Sequence, residues 1–110
     1  MSNQAQTLGT PTAEVAEAKV ESYLRKDIDR IIHVFIRAHS PSSSVSGDWC
    51  LVTATVIQRT WGGFQTTLYR DIMVTHDGKV HGQSGWVIGA VKNFNDARRI
   101  ASALIKADYV

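Results

Sequence analysis

WCLVTATVIQR (residues 49–59), TWGG (60–63), FQTTLYRDIMVT (64–75), HDGK (76–79) and VHGQSGWVI (80–88) follow one another through the middle of the chain. Runs rich in β-branched and aromatic residues are joined here by short glycine-bearing turns, the pattern of an antiparallel meander. In the first run Cys50, Val52, Ala54 and Val56 alternate with Thr53, Thr55 and Arg59, which predicts one apolar face. In the second, Phe64, Leu68, Ile72 and Val74 are expected to share a face, with Arg70 set among them and Tyr69 and Met73 opposite. The third places Val80, Trp86 and Ile88 in phase, interrupted by Gly82 and Gly85, so a bulge or a close backbone approach is expected there. Trp49 and Trp86, inside these runs, read as core or sheet-face residues.

Before the meander, IIHVFIRA (31–38) has no Ala, Leu, Glu or Lys in its β-branched and aromatic part. Such residues lose side-chain freedom in a helix and sit well on a pleated surface. A strand from Ile31 to Ala38 is expected, with Ile32, Val34, Ile36 and Ala38 facing one way; a single helix running on to Ala38 is the rival. Ahead of it, Ala13, Ala16, Val20, Leu24 and Ile28 recur at helical spacing. Thr10 is placed to cap this helix and Pro11 to occupy its first position, with Glu14 and Glu17 near the start and Arg25, Lys26 and Arg30 near the end, as the dipole favours. Residues 1–10 lack periodicity and read as a tail. Residues 40–47, rich in serine, read as a solvated connection.

The last element is a helix capped by Asn93, with Asp96 three residues on and Phe94, Ala97, Ile100, Ala101 and Leu104 as its buried stripe. Arg98, Arg99 and Lys106 are expected to face outward. The fold class is therefore α+β: an N-terminal helix, a three- or four-stranded antiparallel sheet, and a C-terminal helix, in one domain over residues 11–110. Both helices are expected on one sheet face, with the other open or closed by a partner. Were residues 31–38 helical, the α-β-β-β-α order would be similar to a double-stranded-RNA-binding domain. Asn93-Phe94-Asn95-Asp96 departs from the lysine cluster which that resemblance implies at the last helix start, and the family is not assigned.

With 110 residues, 44% hydrophobic and 20% charged, the composition is that of an ordinary globular domain, with no apolar run near the roughly 20 residues that span a bilayer. No signal-peptide pattern opens the chain and Cys50 is the one cysteine, so a cytoplasmic location is expected. The net charge of +2 is unevenly spread: residues 59–99 hold six Lys/Arg against three Asp/Glu, residues 1–58 five against six. Arg59, Arg70, Lys79, Lys92, Arg98 and Arg99 thus form a candidate basic patch for nucleic acid.

Trp61 is the sharpest candidate for a binding residue. Beside Gly62-Gly63 it serves either as an exposed anchor or as a clamp folded back with Phe64, and the clamp is the preferred expectation. His76, Asp77 and His81 flank one turn without the spacing of a metal site; His33 and His39 fall on one face of a strand. No nucleophile elbow, phosphate loop or dinucleotide fingerprint occurs, and His81-Gly82-Gln83-Ser84-Gly85 pairs a His and a Ser by sequence only. A non-catalytic binding or regulatory protein is expected, needing neither cofactor nor metal. It would act by protein contacts or self-association through an open sheet face and the Trp61 loop; weak nucleic-acid binding is the alternative.

Overall fold

The computed structural model describes residues 11–39, 42–44, 47–82 and 84–107; the expected tail, with Thr10, lies outside them. Helix α1 spans Ala13–Asp27. Thr12 caps it, its hydroxyl accepting the Val15 N–H at 3.2 Å. Capping needs an extended residue, and Thr12 has φ −70° and ψ 160°, so Pro11 precedes the cap instead of starting the helix. At the other end Ile28 is already extended while its N–H still bonds the Leu24 carbonyl at 2.9 Å. The chain then reverses through Arg30 at φ 60°, and two bonds of 3.0 Å to this turn hold it: Gln58 Nε2 to the Asp29 carbonyl and Arg59 N–H to the Arg30 carbonyl.

Strand β1, Ile31–Ala38, confirms the strand reading and removes the helical rival. It is followed by β2 (Ser42–Ser44), β3 (Gly47–Thr60), β4 (Gly63–Thr75), β5 (Val80–His81), β6 (Trp86–Val91) and helix α2 (Phe94–Ala107). All pairings are antiparallel. The central strand is β3, with β4 on one side and β1, then β2, on the other. The outer side of β4 is taken first by β5 and then by β6. Part of the serine-rich connection is therefore strand.

The helices do not share a face. Ala16, Val20 and Leu24 of α1 pack on Cys50, Val52, Ala54 and Val56, joined by Ile72 and Val74. The intervening residue Ile57 packs instead with Ala97 and Ala101 of α2, and with Phe35, Phe64, Val91 and Phe94. Successive strand residues point to opposite faces, so β3 carries α1 on one face and α2 on the other. The second apolar set, which alternation in 49–59 did not reveal, draws from the sheet Phe35, Ile57, Phe64 and Val91, single residues on four different strands.

Two bulges correct the expected faces. Val52 pairs Ile72 but Ala54 pairs Tyr69, so β4 contains one extra residue at Arg70-Asp71, with Asp71 at φ 56°. A one-residue slip turns every later side chain over. Ile72 and Val74 thus face α1 while Phe64 faces α2, whereas the sequence placed them together. In β1, Ile31 pairs Gln58 and His33 pairs Ile57, so Ile32 is the extra residue and is exposed; Ile31 takes the core place expected of it.

Helix α2 is capped as expected, Asn93 Oδ1 accepting the Asn95 N–H at 2.7 Å. Its buried residues are Ala97, Ala101 and Ile105, a stripe rotated towards Ile105 that leaves Ile100 at the rim. Two small residues let the helix lie close on the sheet, where buried Thr55 donates to the Ala101 carbonyl at 3.1 Å. Gly63 lies against β6: a Cβ there would stand 2.3 Å from the Val91 carbonyl oxygen. Gly63→Ala should therefore destabilise by about 1–3 kcal/mol, as overpacking does. Gly89→Ala, with nothing within 4 Å, should stay within about 1 kcal/mol of the parent; urea unfolding midpoints of the two variants check the contrast.

Candidate functional site

Thr60 pairs Gly63, leaving Trp61 and Gly62 as the whole β3–β4 turn, with Gly62 at φ 89°. Trp61 stands at its apex, 99% exposed. The clamp expectation is thereby corrected. The cross-strand partner of Phe64 is Arg59, whose guanidinium lies 4.9 Å from the ring centroid, and Phe64 meets Phe94 edge-to-face at 5.6 Å. A residue in the turn has no cross-strand partner to fold onto.

The basic residues named from the sequence are distributed over the molecule. Arg59 and Lys92 lie at the Trp61 end, since Arg59 pairs Phe64 and Val91 pairs Phe64 from the other side. Arg70 is at the β4 bulge, and Lys79 belongs to the β4–β5 turn, where its carbonyl accepts the Thr75 N–H at 3.0 Å. Arg98 and Arg99 are exposed on α2, Arg99 bonded to Asp96 at 2.7 Å. They share a groove of about 480 Å³ with Phe35 and Lys106. Lys106 was not named as a site residue, although its i+7 spacing from Arg99 sets both on one side of the helix.

The largest departure from expectation is β6. Trp86 is expected in the core or on a sheet face; it lies on the sheet but is 62% exposed, with Val87 61% and Ile88 43%. Among the described residues β6 pairs only β4, and Ile88 is an extra residue in it, since Thr67 pairs Val87 while Thr66 pairs Gly89. Ile100 of α2 is 36% exposed and lines a groove with Val91 and Ala103 on the same side. The sequence signal was present in an apolar strand following two glycines, but alternation cannot distinguish an edge from a centre.

The titratable residues assemble structure more than chemistry. His39 Nε2 lies 2.9 Å from Thr53 Oγ1 and 3.8 Å from Asp71 Oδ1. A relay needs the carboxylate on one ring nitrogen and the hydroxyl on the other. Here both oxygens meet the same nitrogen and Thr53 is fully buried, so the trio ties β1, β3 and the β4 bulge together. Cys50 is buried, and burial, then the nearby Glu17 carboxylate, pushes its thiol pKa up. Among the described residues no three of His, Cys, Asp or Glu gather as a metal site. Asp77 instead holds its turn, accepting the Thr75 hydroxyl and the Lys79 N–H; these bonds keep its carboxyl below the usual range. His81 and Ser84 form no pair; Gly82 lies against Tyr23 and Gly85 against Tyr69 and Thr67, and Gln83 is outside the described residues.

Among the described residues no helix is long and apolar enough to cross a membrane. Compared with protein-family models, curated proteins and solved structures, the chain matches none.

A raised thiol pKa disfavours the reactive thiolate, so Cys50 should resist iodoacetamide at neutral pH in the native protein and react fully in denaturant, read by mass spectrometry. For Asp77 the folded pKa is lowered, so the carboxylate's contribution to the turn is complete above the unfolded pKa and is lost as pH falls through the folded one. An NMR titration should place its midpoint below the ordinary value of an aspartate side chain.

Proposed function

We propose that this protein is a non-catalytic binding or regulatory module whose contact surface is the β6 edge together with the Trp61 turn. The observation that carries the reading is the exposure of Trp86, Val87 and Ile88 on a strand that, among the described residues, is paired on one side only. Scattered apolar residues on a surface need no explanation, but here Trp86 pairs Leu68 and Val87 pairs Thr67, so their side chains leave opposite faces of the sheet and make the edge apolar on both. Trp61 adds a large, rigid aromatic at the end of the same sheet, the residue type that dominates interface energetics. The contact surface is thus an edge and a turn, since each sheet face carries a helix. A single buried thiol without a disulfide fits a cytoplasmic setting.

A second reading, weak nucleic-acid binding, is favoured by one observation: Arg98, Arg99 and Lys106 line a groove with Phe35, a ring beside cations. Salt separates the two. Phosphate contacts weaken steeply as salt rises, whereas apolar burial does not.

Trp61→Ala should leave stability within about 0.5 kcal/mol, because the side chain touches little. Capture of partners on the immobilised protein should persist at high salt and fall at least about tenfold in this variant. A folded Trp61→Ala protein that retains all capture overturns the contact role of the turn. Salt-sensitive binding of an oligonucleotide, lost in Arg98→Glu, would favour the second reading.

A further inference from the structure

We infer that β6 is a self-association edge, by which two copies of this chain join about a two-fold axis and bury Trp86, Val87, Ile88 and Ile100. The inference rests on the reading of β6 as a contact surface and names its occupant.

The two edges of the sheet are built differently. β1 carries His33 and Arg37 and a bulge at Ile32. Its Ala38 N–H is taken by Glu17 Oε2 at 2.8 Å. Charge, irregularity and capped backbone groups are the devices that keep a strand edge from pairing with another chain. β6, WVIGAV, contains no charged residue and, among the described strands, pairs only with β4. Its one irregularity, at Ile88, interrupts a continuous hydrogen-bonded ladder, so side-chain burial carries the contact.

Symmetry decides for a second copy. A two-fold axis through the middle of β6 brings apolar residues onto apolar residues whichever central residue it passes, with no charge buried. The flanking helix is complementary under the same operation. Phe94 lies on Phe64, the partner of Val91; Thr55, which pairs Leu68 and is thus in line with Trp86, bonds the carbonyl of Ala101. The middle of β6 is therefore level with the middle of 94–101, and the rotation sets Asp96 of one copy level with Arg99 of the other. These two residues, bonded to each other at 2.7 Å within each copy, line the groove with Ile100 on the β6 side of α2, so the two pairs face one another across the axis with opposite charges level. The exposed apolar side chains amount to on the order of 400 Å² per copy, so that with strand backbone and rim the pair approaches the ~1,200 Å² at which specific interfaces begin. That size implies a dimer that dissociates on dilution.

Sedimentation equilibrium of the full chain over a range of concentrations tests this. The mass should rise to twice that of the chain and stop there. Val87→Lys, at an exposed site, should raise the dissociation constant at least about tenfold with its circular dichroism and melting curve preserved. Arg99→Asp should also weaken the dimer, and adding Asp96→Arg should restore it, with the melting curve of the dilute monomer unchanged throughout; a monomer melting curve that follows the same order would place the effect in the Arg99–Asp96 pair within each chain and overturn the charge complementarity. A wild-type protein that stays monomeric, a Val87→Lys dimer of unchanged strength, or assembly continuing beyond two copies overturns the proposal. A monomer that still captures a partner through Trp61 overturns the dimer alone. A dimer without Trp61-dependent capture leaves the dimer standing and removes the role of the turn.

Discussion

Everything in this fold depends on one strand being buried on both faces. β3 offers Cys50, Val52, Ala54 and Val56 to α1 and Thr53, Thr55 and Ile57 to the other side, all of them fully buried. Threonine has the branched shape that a strand favours, but its hydroxyl must find a partner when water is excluded. Thr55 finds the Ala101 carbonyl and Thr53 the His39 ring. An unsatisfied hydroxyl at such a site would cost about 1–3 kcal/mol. The small residues Ala97 and Ala101 are what let α2 approach close enough to receive that bond.

The β4 bulge reconciles this doubly covered strand with its neighbour. Without the extra residue at Arg70-Asp71, the apolar residues at the two ends of β4 could not serve opposite faces. The outer strand breaks at the same level, because Leu68 pairs Trp86 and Met73 pairs His81, so β5 ends and β6 begins beside the bulge. Gly82 lies against Tyr23 and Gly85 against Tyr69 and Thr67, where a larger residue would not fit. Burial, and the neighbouring Tyr23 phenol, push the Tyr69 hydroxyl pKa up.

Much of the fold was legible in the sequence because periodicity reports local geometry. The two helices, the β1 strand, the meander and its turns all followed from spacing and turn residues. What was not legible depended on register. Arg70 in the middle of an apolar set was the visible sign of the bulge, yet its consequence for Phe64 and Ile72 needed the pairing partners. Facing of the helices was hidden for the same reason: the α2 core draws single residues from several strands, and no one strand shows it. Of the candidate site, Trp61 was identified from its glycine turn, but its exposure reversed the preferred reading. The β6 edge was missed because an apolar strand at the rim and one at the centre have the same composition. The basic residues could be counted but not located, and the structure places them apart.

A strand shared between two cores also has a kinetic meaning. Neither core can form without β3, and β3 has no complete partner set until both ends of the chain have returned to it. The halves of this domain are therefore coupled through a common backbone and do not behave as separable foldons. Its central amides should exchange with solvent only through global opening, while those along β6 exchange from the native state. β3 and β4 form a hairpin closed by two residues, but the helices that complete the two cores come from opposite ends of the chain, so folding must close long loops before it gains that burial, and its rate is set by topology more than by helix formation.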